Sequence, residues 1–313
     1  MNQFKLIAFL RLVRWQNLVF ILITQVMFEY CIYFRVYPGF WGLDNESRQF
    51  WLIVAASVLI AAGGYIINDY FDLNIDQVNK PKKVVVNNFI NRRWVILWHL
   101  ILSIAGLAAT IAALPFRSYF HLIFANLLCI IILVFYSTTL KKKLLIGNLL
   151  ISVLTAWVIG IIFFSKYHFG EIFTKEKELS DARYFRFTII YCGFAFIVSL
   201  IREVIKDMED VEGDIKYGCR TMPIVWGINA SKVFVAVWLI VLISTITILQ
   251  FYVLQFGWWL SVLYSLLAIL FPLIIIFRKL FKAQTALDFN EISKLIKIVM
   301  LTGIVSMIFF RLY

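Results

Sequence analysis

The sequence has little charge for its length. Only 15% of its 313 residues are Asp, Glu, Lys or Arg, whereas 62% are hydrophobic and the mean hydropathy is +0.88. A soluble domain of this size requires a more charged surface, so the composition argues against the soluble globular class. Many apolar runs approach or exceed the roughly 18 residues that suggest a membrane span. The sequence therefore predicts an integral membrane protein.

Metal-binding patterns of cysteine and histidine are absent from the sequence. The four cysteines show no CxxC or Cys/His spacing, which argues against a zinc site and against a disulfide framework. Each of the three histidines stands alone, and we expect them to be surface or packing residues. These seven residues are Cys31, Cys129, Cys192, Cys219, His99, His121 and His168.

Nine apolar runs make up most of the chain. The first run follows Arg11 and Arg14 and lacks a small-residue cleavage signature, so we expect a retained helix and not a removed signal peptide. Nothing suggests a separate soluble domain. We therefore predict an all-α, polytopic fold with a single domain over residues 1–313. The predicted spans are 16–35, 49–67, 93–115, 117–136, 145–165, 185–203, 230–250, 254–277 and 294–312.

Lysine and arginine are distributed unevenly between the predicted loops. If the N-terminus and every second loop are cytoplasmic, 21 of the 30 Lys and Arg residues lie on the cytoplasmic side, which is the orientation that the positive-inside rule favours. We predict a multi-pass protein of the plasma (inner) membrane. Its net charge of +12 would contact anionic membrane lipids and not nucleic acid. The cytoplasmic set includes Lys80, Lys82, Lys83, Arg92, Arg93, Lys141, Lys142, Lys143, Arg278, Lys279 and Lys282.

An acidic stretch, "INDYFDLNID" (67–76), follows the second run. On a helix that turns by about 100° per residue, Asp69, Asp72 and Asp76 lie within about 60° of one another. Asn68 lies one turn before Asp72. The stretch therefore predicts one oxygen-rich stripe at a helix end.

A second acidic stretch, "REVIKDMEDVEGD" (202–214), follows the sixth run. If the helix continues, four of its acidic residues also share a stripe about 60° wide. Gly213 is a candidate for an early end of this helix. Glu209 and Glu212 point away from the stripe, and we expect them to be solvated. The stripe consists of Glu203, Asp207, Asp210 and Asp214.

Four crossings separate the two stretches, so both are predicted to emerge on the cytoplasmic side. The chain then resembles two parallel halves, about 1–140 and 141–313, each with an acidic helix end at a shared cavity. Seven carboxylates with few intervening bases repel one another unless a cation lies between them. Oxygen ligands without His or Cys favour Mg²⁺, which commonly bridges carboxylates to a substrate's phosphates. Solvation would explain one such stretch, but it is a weaker explanation of two.

Three motifs together resemble those of the UbiA superfamily of intramembrane prenyltransferases. "NDYFDLNID" matches the pattern NDxxDxxxD, and "DMEDVEGD" followed by "GCRTMP" is similar to the second Asp-rich motif and its loop. "YSTTLKKKLLIGN" (136–148), after the fourth run, also fits. The resemblance implies a nine-helix bundle around a central cytoplasmic-side cavity. It also implies Mg²⁺-dependent transfer of a prenyl group from a prenyl diphosphate to an acceptor, with release of diphosphate.

The resemblance also implies roles for particular residues. Asp72, Asp76, Asp207 and Asp210 would be the catalytic carboxylates. Basic residues near the motifs would bind the diphosphate, although each could equally serve to orient the chain in the membrane and balance its charge. The implied metal ligands are Asn68, Asp69, Asp72, Asp76, Glu203, Asp207, Asp210 and Asp214. The implied substrate-binding residues are Asn17, Asn68, Lys141, Arg202, Lys206 and Arg220.

The acceptor is less clearly indicated than the reaction. The stretch 202–224 is most similar to the branch that resembles geranylgeranylglycerol-phosphate geranylgeranyltransferases, which indicates a geranylgeranyl donor and a lipid acceptor. However, "NKPKKVVVNNFI" lacks the second proline and the Ser-Gly that relatives carry after the first motif. An aromatic quinone precursor, a hydroxybenzoate or dihydroxynaphthoate, is therefore the alternative acceptor. A membrane transporter is a further alternative, but Glu29 is the only acidic residue well inside a predicted span.

Overall fold

The computed structural model describes residues 3–38, 44–81, 84–167 and 179–313. Within these ranges the chain contains no β-strand, and nine helices are long and apolar enough to cross a membrane. All nine predicted spans are thereby confirmed as helices. The spanning helices are α1 (Trp15–Val36), α2 (Asp44–Asn79), α3 (Arg92–Ala113), α4 (Phe116–Thr138), α5 (Ile146–Phe164), α6 (Leu179–Glu209), α7 (Ile228–Leu254), α8 (Trp259–Lys282) and α9 (Ala286–Leu312). Lys82, Lys83 and His168 lie outside the described residues.

Two of the helices are much longer than a membrane is thick. α2 has 36 residues and α6 has 31, so they measure about 54 Å and 46 Å. The hydrocarbon core of a bilayer measures about 30 Å. The first acidic stretch lies in the last turns of α2, and the second begins in the last turns of α6. The helix α6 ends at Glu209, four residues before Gly213, and a short helix, Val211–Lys216, follows it.

The helices pack in a bundle with α2 and α6 near its centre. α2 contacts α1, α3 and α4, while α6 contacts α5, α7 and α9. A Cβ atom on Gly106 of α3 would lie 2.7 Å from the Ile60 side chain of α2, so a glycine is needed where these two helices touch. Large apolar side chains, among them Ile104, Phe124 and Phe251, are exposed on the outside of the bundle. An apolar exterior is what lipid contact requires.

The end of the bundle opposite the acidic stretches is filled by aromatic side chains. Phe28, Tyr33, Phe163 and Tyr184, which we call the aromatic cluster, are all buried. Ring centroids within the cluster are 5.1 Å apart for Phe163 and Tyr184 and 5.3 Å apart for Tyr33 and Tyr184. The cluster packs beside an ion pair between Glu29 and Lys166.

That ion pair explains the isolated acidic residue of the first span. Glu29 lies in a π-helical turn of α1, Phe28–Tyr33, and its side chain is 3% exposed. Lys166 approaches the Glu29 carboxylate to 2.5 Å and lies 3.9 Å from the centroid of the Tyr33 ring. The charge inside the span is therefore compensated by a cation from the end of α5.

Candidate active site

A cavity of about 1050 Å³ lies between the acidic ends of α2 and α6 and continues into the bundle. Residues of α1, α2, α4, α5, α6 and α9 line it. Asp72 and Asp207 therefore line the same cavity, as the sequence predicts. The predicted site residues that line it are Asn17, Asn68, Asp69, Asp72, Asp76, Lys141, Arg202, Glu203, Lys206, Asp207, Asp210 and Asp214.

Arg220 is the one predicted site residue that does not line the cavity. Its side chain is exposed, although its neighbours Cys219 and Thr221 are buried and do line the cavity. The Arg220 backbone N–H donates to the Lys142 carbonyl oxygen at 2.8 Å. Arg220 therefore joins two loops through its backbone, and its side chain points away from the cavity.

The two acidic ends are held together by direct hydrogen bonds. The Asn79 side chain, at the end of α2, donates to the Asp210 carbonyl oxygen at 3.0 Å and accepts from the Gly213 N–H at 2.8 Å. Lys80 lies 2.7 Å from the Asp210 carboxylate. A Cβ atom on Gly213 would lie 2.5 Å from the Asn79 side chain. This close contact therefore requires a glycine at position 213. The prediction that Gly213 ends the helix α6 is wrong, because α6 already ends at Glu209.

The carboxylates of the first stretch are paired with bases from other parts of the chain. Arg14 lies 2.6 Å from Asp69, and Lys141 forms an ion pair with Asp72. Arg14 has φ 50° and ψ 52°, in the left-handed region that non-glycine residues rarely adopt. A Cβ atom on Gly147 would lie 2.8 Å from the Lys141 Cα, so this glycine lets the loop that carries Lys141 pack tightly.

The carboxylates of the second stretch have polar partners as well. The Asn148 amide, in the "LIGN" segment, donates to the Asp207 carboxylate at 2.8 Å, and Arg202 lies 2.9 Å from Glu203. Glu209 accepts a hydrogen bond of 2.7 Å from Asn290, and its side chain is only 9% exposed. The expectation that Glu209 is solvated is therefore wrong, because α9 packs against this end of α6.

The expectation of few intervening bases is also wrong. Within the described residues, eight carboxylates and eight bases line the cavity. Arg14, Lys80 and Lys141 are remote in sequence from the carboxylates with which they form ion pairs, so the acidic stretches alone could not reveal them. The carboxylates are Asp69, Asp72, Asp76, Glu203, Asp207, Glu209, Asp210 and Asp214. The bases are Arg11, Arg14, Lys80, Lys141, Arg202, Lys206, Lys294 and Lys297.

The donor chemistry of the cavity fits Mg²⁺. The possible ligands are carboxylate and amide oxygens, the hard donors that Mg²⁺ prefers. In the described part of the chain no three Asp, Glu, His or Cys residues are arranged around a ready-made metal position. Burial, followed by repulsion from Asp210 and Asp72, raises the pKa of Asp214 to about 7. An added cation would therefore relieve an unfavourable concentration of negative charge at this end of the cavity.

Two comparisons identify the family. The chain matches the UbiA prenyltransferase family over residues 30–292. Digeranylgeranylglyceryl phosphate synthase of Methanosphaera stadtmanae is 32% identical over 252 residues, which cover 80% of this chain and 83% of that protein.

Solved structures share the fold. A structure from work on digeranylgeranylglyceryl phosphate synthase in membranes has a TM-score of 0.58 at 24% identity, and covers 97% of this chain and 99% of its own. A UbiA homologue from Archaeoglobus fulgidus bound to GPP and Mg²⁺ has a TM-score of 0.55 at 17% identity, covering 96% of this chain and 99% of its own. The predicted family, the helical membrane fold and the predicted class of enzyme are confirmed. The chain belongs to the UbiA prenyltransferase family and is a multi-pass membrane prenyltransferase.

Proposed function

We propose that the protein transfers a geranylgeranyl group from its diphosphate to geranylgeranylglyceryl phosphate and releases diphosphate. The reaction would depend on Mg²⁺. The observation that carries the proposal is that both acidic helix ends open into one cavity, which then continues as an apolar pocket. The name of the relative that is 32% identical supports a glycerol-phosphate acceptor.

The two acidic stripes would hold the metal and, through it, the diphosphate. Mg²⁺ bound there would neutralise the charge that develops on the departing diphosphate. Oxygen ligands would come from α2, with Asn68 and Asp72, and from α6, with Asp207. Lys141 and Lys206 line the same region, where their ammonium groups favour an anionic leaving group.

The depth of the cavity supports a prenyl chain of about four isoprene units. Ser57 and Asp72 both line the cavity and lie fifteen residues apart on α2, a distance of about 22 Å along the helix. Three bonds of an extended chain span about 3.5 Å, so the four chain bonds of an isoprene unit span about 4.7 Å and four units about 19 Å. Apolar residues including Ile151, Leu154 and Ile304 line the inner part of the cavity.

The apolar pocket also suits the chemistry at the prenyl carbon. The bond between C1 and the diphosphate oxygen breaks, its electron pair leaves with the diphosphate, and the acceptor hydroxyl oxygen then bonds to C1 and loses its proton. An allylic cation in this step would react with water, so a pocket lined by apolar side chains protects it. The ring of Tyr136, which lines the cavity near the carboxylates, can stabilise positive charge with its π face.

The distribution of basic residues supports a cytoplasmic orientation for the cavity. Lys80 and Lys141 lie at its charged end, in loops that the positive-inside rule assigns to the cytoplasm. The N-terminus would then also be cytoplasmic, and the membrane would be the plasma (inner) membrane. Two parallel halves, about 1–140 and 141–313, would each supply one acidic helix end, and residues 1–313 would form a single domain.

A transfer assay with purified protein tests the proposal. Labelled geranylgeranyl diphosphate and Mg²⁺ would be incubated either with geranylgeranylglyceryl phosphate or with hydroxybenzoate or dihydroxynaphthoate. We expect label in the glycerol ether and none when EDTA replaces Mg²⁺. Label in an aromatic acid alone would favour the alternative acceptor, and uptake of label into vesicles without transfer would favour a transporter.

A further inference from the structure

One face of α6 forms a wall of the cavity along much of the helix. Asp207 lies at the charged end of this wall, and Val198, Ala195, Phe194 and Tyr191 follow at greater depth. Residues three or four positions apart lie on the same side of a helix, which explains how one face can supply all of them. The wall changes from charged to largely apolar with depth, and its deepest part carries two aromatic rings.

Phe194 lies at the depth that the last unit of a geranylgeranyl chain would reach. It is thirteen residues from Asp207 along α6, a distance of about 20 Å. Four isoprene units of an extended chain span about 19 Å. The metal and the diphosphate would separate Asp207 from the first carbon, but a bent chain is shorter than an extended one, so these two effects oppose each other. The Phe194 ring is therefore placed beside the end of a four-unit chain.

The Phe194 ring rests on the backbone of α9. Gly303 of α9 also lines the cavity, and a Cβ atom there would lie 2.5 Å from Phe194 Cζ. Only a glycine therefore lets the ring lie this close to α9. The ring also packs against the buried apolar core that α6, α7, α8 and α9 form. Because the core and α9 both restrict the ring, the open space into which it can move is the cavity.

Tyr191 is the deepest of the described α6 residues that line the cavity. It is buried, and its hydroxyl is hydrogen-bonded to the Ser306 hydroxyl at 3.1 Å. Met307, one turn beyond Gly303 on α9, lines the cavity and is also buried. A fifth isoprene unit would add about 4.7 Å, close to the 4.5 Å or so that separates Phe194 from Tyr191 along the helix. It would therefore meet a ring that a hydrogen bond and packing hold in place.

We propose that the Phe194 ring, seated on Gly303, sets the length of the prenyl chain by stopping it after the fourth isoprene unit. This inference rests on the proposed function, because it concerns the donor of that reaction. Gly303 gives the ring a position at the side of the cavity, and the ring gives the last isoprene unit a surface to pack against. The pair therefore excludes five units and favours four units over three.

Competition among prenyl diphosphates of three, four and five isoprene units tests this assignment. The purified protein would transfer them to the acceptor that the wild type uses, and the product lengths would give the ratios of kcat/KM. Phe194→Ala removes the ring, so we expect the ratio of five-unit to four-unit product to rise about tenfold. Gly303→Ala pushes the ring toward the cavity, so we expect the ratio of three-unit to four-unit product to rise about tenfold. In the double variant the added methyl group has no ring to displace, so the preference for three units should disappear.

Two variants on α6 are matched controls. Gly193→Ala adds a methyl group where a Cβ atom would meet nothing within 4 Å, at a residue that does not line the cavity. Phe187→Ala removes a ring that packs against Phe310 and does not line the cavity. Both should keep the length preference of the wild type. If Phe194→Ala is poorly folded, Phe194→Leu keeps more of the packed volume and should still raise the ratio for five units.

Two results would overturn the assignment and leave the proposed function intact. One is unchanged length ratios in both single variants while the wild type prefers four units. The other is a preference for three units that persists in the double variant, because the methyl group would then act without the ring. A wild-type protein that transfers no geranylgeranyl group would instead remove the proposed function, and this inference with it.

Discussion

The two ends of the bundle both contain buried charge, but they differ in what surrounds it. At the far end, Glu29 and Lys166 form an ion pair, 3% and 14% exposed, beside the aromatic cluster. At the near end, eight carboxylates and eight bases of the described residues surround a cavity of about 1050 Å³. Packed aromatic rings surround the charges at the far end, whereas the cavity at the near end has room for a ligand.

This difference suggests that the buried charges have a structural role at the far end and a functional role at the near end. A single enclosed pair has a fixed partner, and its loss should affect stability. Charges around an open cavity can exchange a protein partner for a substrate or a metal, so their loss should affect activity. Activity and stability measured on the same variants can therefore test whether the two ends have different roles.

The largest effect is expected for Asp207→Asn at the near end. Asparagine keeps the shape of the side chain and can still accept the hydrogen bond from Asn148, but it removes the charge that would hold Mg²⁺. We expect transfer to fall by about 1,000-fold, with the melting temperature little changed. Glu212→Gln is the control, because Glu212 is exposed in the same stretch and does not line the cavity. Full turnover by Asp207→Asn would argue against a catalytic carboxylate at this position.

At the far end, Glu29→Gln should give the opposite result. It leaves Lys166 buried without its carboxylate, which should lower the free energy of unfolding by about 3 kcal/mol. Activity per folded molecule should stay within about twofold. Both would be measured on the purified protein, by thermal unfolding and by transfer assay.

Glu291→Gln supplies the matched control for that loss. Glu291 pairs with Lys279 at 2.9 Å, but the two side chains are 66% and 47% exposed, so the variant should lose less than about 1 kcal/mol. A Glu29→Gln protein that is stable but inactive would contradict the separation between the two ends.

The sequence predicted the parts of this molecule that depend on local pattern. Span length and the acidic stripes follow from hydropathy and from the helical repeat, and both acidic stretches line one cavity as expected. The partners of the carboxylates could not be predicted in the same way. Arg14 lies 55 residues from Asp69, and Lys141 lies 69 residues from Asp72. Only the packing of the helices brings such residues together.

Asn148 and Glu209 illustrate two kinds of cavity residue whose contacts the sequence does not predict. Asn148 belongs to a segment that resembles the family, but its role depends on contact between α5 and α6, where it bonds to Asp207. Glu209 lies off the acidic stripe, and it is buried because α9 packs against it and Asn290 donates a hydrogen bond to it. The sequence pattern of one helix does not predict which of its side chains another helix will bury.

A smaller effect is expected when the contact between the two acidic ends is loosened. Gly213→Ala would place a Cβ atom 2.5 Å from the Asn79 side chain and displace the hydrogen bonds that join α2 to the Asp210 segment. We expect kcat/KM to fall about tenfold, because misplacement of catalytic groups by a fraction of an ångström is costly.

Gly193→Ala is the control, because it also adds a methyl group to a glycine but creates no close contact. Gly193 lies in the helix α6, and a Cβ atom there would meet nothing within 4 Å. The control should retain full activity and stability. Equal activity of the two glycine variants would mean that the Asn79 contact does not position the carboxylates.

The smallest effect concerns pH at the near end. Burial, then repulsion from Asp210 and Asp72, raises the pKa of Asp214 to about 7. Below that pH the carboxylate binds a proton, and above it the carboxylate is free to hold a cation. Because Mg²⁺ must displace that proton, the Mg²⁺ concentration for half-maximal activity should rise several-fold as the pH falls from about 8 to about 6. Asp214→Asn should lose this dependence and Glu212→Gln should keep it. An identical pH profile in Asp214→Asn and the wild type would show that another group titrates, and that crowding of carboxylates at this end of the cavity does not govern the affinity for the metal.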